Sequence, residues 1–459
     1  MRKHEGSAKI NQVETTSDNL TGRGGLALFV KYLTGIGIYA LMDENFGKMR
    51  KSLKGQAIWN IFKQVFCFFF DGTSRHVSHF DHLQKDEGYS GVIENNQREM
   101  LSSHAAKRFF KGFNWLCGGV FRKILKRLFI WRLNLEKPDE IVITIDTMVM
   151  DNDEALRREG VQPTYKKVKG FQPLQLIWKG KIIDAIFRGG KKHSNYGNAV
   201  VNMITDMVKL IRSEYRADVT IIVQLDSGFF DEVNFKAFDA LNIGFICTGK
   251  MYDGVKEQAR GHKDWGVYDN GRQVWEFAEF GFRCDSWDRF YRAIYTRPVY
   301  EGEQKLLDFA RQDNVIITNL GINPQALAYT SAERRQAWIQ PKTLVQTHHL
   351  RGADELPHRG LKDFGDEELP FKRFAPNSAF YYCMLISFFL FETYKEDVLR
   401  DIVPITAYAT TIRRQLVDWA AKIVRGGGKI VLKVTQAVMA AWHVDELWAR
   451  CQNPPPIVA

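Results

Sequence analysis

The chain has 459 residues, 45% of them hydrophobic and 25% charged, and carries a net charge of +11 with a pI near 9.2. That is the profile of an ordinary globular protein, long enough for a large core and about three domains, and its cationic excess suggests a polyanionic partner, most simply nucleic acid. Six scattered cysteines without C-x-x-C spacing argue against a zinc site or a redox dithiol and fit idle thiols in a reducing cytosol.

The polar N-terminus "MRKHEGSAKINQVETTSDN" lacks a signal-peptide core, and residues 1–20 read as a disordered tail. Residues 21–135 read as helical, with basic and aromatic residues interleaved. In "MLSSHAAKRFFKGF" Ser102 or Ser103 is the expected N-cap, and Lys107, Arg108 and Lys111 follow on the helix. "FRKILKRLFIWR" is a basic amphipathic segment. A helix-turn-helix that binds DNA and a plain bundle with a charged outer face fit this pattern equally well.

The pattern then changes to strands. "EIVITID" ends at Asp146, and "PLQLIWKGKIIDAIFR" predicts two strands around a Lys179–Gly180 turn. "HSNYGNAVVNMITDMVKLIRSEY" has apolar positions at 200, 203, 204, 207, 208 and 211, which predicts a helix capped by Ser194 or Asn195. "VTIIVQLD" is a buried strand that ends at Asp226, followed by a short helix and the strand "NIGFICTGK". The order predicts a mixed α/β sheet, residues 136–250 and 336–400, interrupted by a β-rich insertion over 251–335. "AFYYCMLISFFLF" (379–391) is too short to span a bilayer and reads as a buried helix. Residues 401–459, with the basic "RRQLVDWAAKIVRGGGKIVLKV", read as a separate tail element.

Asp146 and Asp226 each follow an apolar strand. Carboxylates at the C-terminal ends of adjacent strands stand where α/β sheets bind ligands, and such a pair with a third acid suits Mg²⁺. The plainer alternative is that each caps a turn. The third acid is sought beyond the insertion, in "HHLRGADELPHRGLK". There His348, Arg351, Glu355 and Lys362 are spaced by three, four and seven. On one helix, at about 100° per residue, they fall within an arc of roughly 60°. Arg351 can grip a phosphate bidentately, Lys362 serves as a point charge, and His348 can donate to a phosphate. A solvated face with an Arg351–Glu355 pair is the alternative. Asp354, Glu367 and Glu368 are further acids, and Pro357 predicts a kink or fresh helix start.

These residues resemble a known family. The H-x-x-R-x-x-x-E-x-x-x-x-x-x-K array is similar to the Y-R-E-K signature of DDE transposases from bacterial insertion sequences, with His348 where that family usually has Tyr. "VQLDSGFF" resembles its second-aspartate segment and "ITIDTMVM" its first, with Thr144 and Met148 in place of the usual Asp and Thr. "GGKKHSNYGNAVVNMI" and "KGFQPLQLIW" resemble its linking segments. The insertion-sequence 1380 family is the nearest likeness, over about residues 95–435. The resemblance implies an RNase H-like core with an insertion domain and an N-terminal helix-turn-helix that places Ser103, Lys107 and Arg108 at DNA. It implies Asp146, Asp226 and Glu355 as catalytic acids that bind two Mg²⁺ (Mn²⁺ substituting), with Arg351, Lys362 and His348 at DNA phosphates. The expected activity is binding of terminal inverted repeats, DNA cleavage and strand transfer by a cytoplasmic homodimer assembled on DNA. Trp265, Trp275 and Trp287 could stack on a flipped base, with packing in a β core as the plainer reading. A nuclease without strand transfer and a decayed, DNA-binding repressor are the competing functions.

Overall fold

The computed structural model describes residues 10, 12–50, 55–155, 157–300, 312–351 and 355–457. Its centre is a nine-stranded mixed sheet. In chain order the strands are β1 (Glu140–Thr147), β2 (Leu174–Trp178), β3 (Lys181–Ile186), β4 (Thr220–Leu225), β5 (Gly244–Thr248), β6 (Gly266–Asp269), β7 (Val274–Phe282), β8 (Tyr291–Pro298) and β9 (Asn314–Thr318). In space they run β6-β7-β8-β9-β5-β4-β1-β2-β3. Only β1–β4 and β4–β5 are parallel pairs; the other neighbours are antiparallel.

Sequence explains this arrangement. β4, "TIIVQL", is buried along its whole length, as a central strand covered on both faces must be. The β2–β3 hairpin closes at Lys179 and Gly180, both with positive φ (45° and 80°), the backbone of a two-residue turn whose twist matches the strands. The strands expected within 251–335 form, and they continue the central sheet through β9, which pairs with β5.

Nine helices matter here: α1 (Leu26–Ile36), α2 (Ile58–Asp71), α3 (Ser103–Lys111), α4 (Cys117–Glu136), α5 (Ala199–Glu214), α6 (Glu232–Ala240), α7 (Pro341–Leu350), α8 (Glu355–Phe364) and α9 (Phe374–Tyr394). α5 buries the six apolar positions its periodicity predicts. Its start differs from expectation: Asn198, in the left-handed region, precedes the helix, and no side chain caps it. The apolar segment 379–391 lies in α9, whose side chains are buried almost throughout. Its rings meet Phe69 and Phe70 of α2, Phe110 of α3 and Phe121 of α4. Two hydroxyls fix it to the β2–β3 hairpin: Gln175 donates to Tyr381 Oη at 2.6 Å, and Tyr382 Oη donates to the Ala185 carbonyl at 2.9 Å.

Much of the basic run of α4 is engaged in ion pairs within the fold, while Lys123 is exposed. Arg122 makes a two-pronged 2.8 Å contact with Asp184, which is fully buried on β3, and Lys126 lies 3.5 Å from the same carboxylate. Arg127 pairs with Glu44, and Arg132 with Glu396 and Asp397. Arg122 and Arg132 neutralise acids that burial would otherwise leave unpaired, whereas Arg127–Glu44 is a surface pair.

The C-terminal region is not a separate element. Strands β10 (Ala421–Gly426) and β11 (Lys429–Val434) form a hairpin, and β10 pairs with the two-residue strand Leu20–Thr21. Just before it, the Arg413 guanidinium reaches the carbonyls of Phe69 (2.7 Å) and Phe70 (2.9 Å) at the end of α2. It also reaches those of Asp363 (3.1 Å) and Phe364 (2.6 Å) at the end of α8. A helix end leaves its last carbonyls without partners, and one cation here serves two such ends, favourably placed at both negative termini. Gly72, at φ 61°, leaves room for it; a Cβ there would lie 2.1 Å from Arg413 Cζ. Arg413→Met is therefore expected to destabilise the fold by about 3 kcal/mol, because four buried carbonyls lose a charged donor. Denaturant unfolding should show a lower midpoint.

Candidate active site

The site follows from strand register. β1 and β4 run parallel, with Thr144 opposite Gln224. Two residues further on, Asp146 and Asp226 stand side by side at the C-terminal edge of the sheet. Asp146 Oδ1 accepts the Thr147 N–H at 2.6 Å, and Asp226 Oδ1 accepts the Gly228 N–H at 2.8 Å. The second contact caps the short turn Ser227–Phe229, so the turn-capping alternative holds for Asp226 alongside its place in the pair.

Burial raises the pKa of the Asp226 carboxyl, and the Asp146 charge raises it further. Arg351 and the N–H groups of Gly228 and Phe229 pull the other way without cancelling the rise. The Asp226 carboxyl is thus held beside a second carboxylate. This donor set suits a hard divalent cation, which takes carboxylate oxygens.

Arg351 Nη2 lies 4.0 Å from Asp226 Oδ2, and its Nη1 donates to Thr248 Oγ1 at 3.3 Å. Thr248, at the end of β5, also meets His348 Nε2 at 2.9 Å. His348 is buried, and burial together with the charges of His349 and Arg351 pushes its pKa down to about 3. It is neutral at physiological pH and turned to Thr248. The expected phosphate contact by His348 is therefore corrected: it supports Thr248, which in turn holds Arg351.

The single helical face expected from His348 to Lys362 is also corrected. His348 lies in the last turn of α7, Arg351 follows that helix, and Glu355 opens α8. Pro357 stands in the first turn of α8, where its missing N–H has no intrahelical partner to lose. α8 spans Glu355–Phe364, with a kink or fresh start expected near this proline. The Glu355 side chain and Asp354 lie outside the described residues. His358, three positions after Glu355 in α8, brings Nδ1 to 3.9 Å from Asp146 Oδ2. The first turn of α8 therefore abuts the end of β1. Lys362 is paired with Glu367 at 2.6 Å, and Glu368 with Arg158 at 2.8 Å. Among the described residues, no group of three or more His, Cys, Asp or Glu side chains is placed to hold a metal.

In α3, Ser102 is the N-cap and accepts the Ala105 N–H. Ser103 is buried, and its hydroxyl donates to Asp81 Oδ2 at 2.7 Å, so it is corrected from DNA contact to a structural role. Lys107 and Arg108 are exposed on the outer face of α3. Trp275 and Trp287 are buried, the latter against Phe230, and Trp265 is covered by Arg297 at 3.8 Å. The plainer core reading describes the first two. Thr248 and His358 were missed from sequence; nothing marks Thr248, whereas the one-turn spacing from Glu355 could have found His358.

The family model for "Transposase DDE domain group 1" matches residues 3–455. The chain belongs to this family, and the aspartate pair lies within the matched region. No curated protein matches it. Among solved structures it is similar to piggyBac transposase, in a cryo-EM synaptic complex with hairpin DNA. That match has 11% identity and a TM-score of 0.41, covering 88% of this chain and 83% of that one.

Because the folded-state pKa of Asp226 lies above its unfolded value, ionising it costs stability. The stability present below the unfolded pKa, about 3.9, is lost as pH rises through the folded value. Without divalent cations, Asp226→Asn should therefore raise Tm at neutral pH by about 1–3 °C, and the gain should vanish in acid. Added Mg²⁺ should raise the wild-type Tm more than that of the variant, as read by calorimetry.

Proposed function

We propose that the chain is a transposase that binds the terminal inverted repeats of a bacterial insertion sequence of the 1380 group, cuts DNA at the ends and joins them to target DNA. The observation that carries this reading is the parallel register that sets Asp146 beside Asp226, with Arg351 4.0 Å away. In this reading β1 to β5, in the order β3-β2-β1-β4-β5, are an RNase H-like core, 251–335 is an insertion in it and 21–135 carries DNA binding.

Asp146, Asp226 and Glu355 would hold two Mg²⁺. Bound there, the ions supply Lewis-acid stabilisation of charge that builds on the scissile phosphate. The protein's own groups do the positioning. Arg351, braced by Thr248, presents a planar fork of N–H donors to a phosphate oxygen. Lys362 adds charge once it exchanges Glu367 for DNA. Water attacks phosphorus in line and the P–O bond to the element's 3′ oxygen breaks, leaving a free 3′-hydroxyl. That hydroxyl attacks a target phosphate in the same geometry, forming one P–O bond and breaking another. On α3, Lys107 and Arg108 are exposed for phosphate contact. Two copies acting together, in the bacterial cytoplasm, would hold both ends. Pro357 sits in the first turn of α8, where a helix accepts proline, and so does not count against a cleaving enzyme.

The test is cleavage of linear DNA carrying the element's own ends in Mg²⁺. Wild type should cut at the ends. Asp146→Ala, Asp226→Ala and Glu355→Ala should bind and not cut, and Arg351→Ala should slow cutting by about 10²–10³-fold. Binding without cutting by wild type would overturn the reading. Undiminished cutting by Glu355→Ala would move the third acid to Asp354 or Glu367.

A further inference from the structure

The hairpin β10–β11 has an unusual charge arrangement. "AKIVRGGGKIVLKV" carries Lys422, Arg425, Lys429 and Lys433 and no acid. Its register places Lys422 directly opposite Lys433, and Gly426 opposite Lys429. Like charges facing each other across a ladder destabilise it, and only one of the two here has a counter-ion. Lys422 has Asp18 at 2.7 Å; Arg425, Lys429 and Lys433 are exposed and pair with no carboxylate among the described residues.

The two faces of the ribbon differ. Ile423, Arg425, Ile430, Leu432 and Val434 share the face that lines a cavity of about 1150 Å³ against the N-terminal segment and the last helices, and Val431 also borders it. The other face carries Lys422, Val424, Gly426, Lys429, Val431 and Lys433, and Val431 is 46% exposed. At the tip, Gly427 and Gly428 have φ of 57° and 73°, which the two-residue turn requires. Gly426 has no such requirement: its φ is not positive, and a Cβ there would meet nothing within 4 Å. Glycine in a strand leaves space in which a ligand or another backbone can approach closely.

We propose that this hairpin is a DNA-binding ribbon that enters the major groove tip first, with Arg425, Lys429 and Lys433 on phosphates and Ile430 and Val431 toward base edges. This rests on the DNA-processing reading above and names a surface that reading does not include. A two-stranded ribbon fits the major groove, where apolar side chains meet thymine methyls. The bare glycine tip lets the backbone approach the duplex, and the unpaired cations complement its charge. A second copy of this chain, itself at +11, offers Arg425, Lys429 and Lys433 less counter-charge than a phosphate backbone does.

The test uses the full chain and a short fluorescent duplex of arbitrary sequence, with anisotropy measured between about 50 and 200 mM salt. The combined variant Arg425→Gln, Lys429→Gln, Lys433→Gln should bind at least about tenfold more weakly, and its slope of log K against log salt should be smaller by about 2–3. Its Tm should match wild type; if it melts low, Lys429→Gln alone carries the test, with a slope smaller by about 1. Unchanged affinity and slope would overturn the proposal and leave the transposase reading intact. A change confined to oligomeric mass would overturn it too. Absence of any duplex binding by wild type would overturn both, whereas loss of cutting in Asp226→Ala with an unchanged salt slope would uphold the catalytic reading separately.

Discussion

The parallel pairing of β1 with β4 is the constraint from which the rest follows. An antiparallel pair would send the two strand ends, and their aspartates, to opposite edges of the sheet. Parallel strands cannot be joined by a tight turn, so the chain makes the β2–β3 hairpin on one side and returns through α5 to enter β4 on the other. Strands at the middle of such a sheet need cover on both faces. α4 and α9 press against the hairpin side, and the ring contacts of α9 draw the N-terminal helices in behind it. The packing of the molecule can be read as the support needed to hold two like charges side by side.

Those charges are managed in layers. Next to Asp226 is Arg351, next to Arg351 is a threonine hydroxyl, and behind the hydroxyl is a histidine that burial keeps neutral. A charged histidine at that position would repel the arginine it supports. The neutral ring costs less to bury and still offers a hydrogen bond. Arg351 is thereby oriented by groups that do not compete with it for a phosphate.

Local signals made much of this legible in the sequence. β1, β2, β3, β4 and β5 were all visible as apolar runs that end in turn residues, and the six buried positions of α5 were given by a 3.6-residue period. Asp146 and Asp226 stood out because each interrupts such a run at its end. Long-range pairing was less visible. The basic segment of α4 fitted a DNA-binding motif and a charged outer face equally well, because its acids, Asp184, Glu44 and Asp397, lie far away in the chain. Ser103 looked available because its partner Asp81 belongs to another element. Helical spacing from His348 to Lys362 assumed an unbroken helix, whereas the chain divides it between α7 and α8. Thr248 carries no local mark; only the fold brings it to Arg351.

Arg413 joins parts of the chain that are made far apart in time. It stands 344 residues after Phe69, whose carbonyl it holds. At about 5–20 residues per second, synthesis of that interval takes roughly 20–70 s. Throughout it, the end of α2 is out of the tunnel without the cation that completes it, and Leu20–Thr21 waits still longer for β10. The N-terminal helices therefore emerge first and finish last. A ribosome that stops before residue 413 leaves them with open carbonyls and an uncovered strand edge, a target for cellular proteases rather than a smaller working protein.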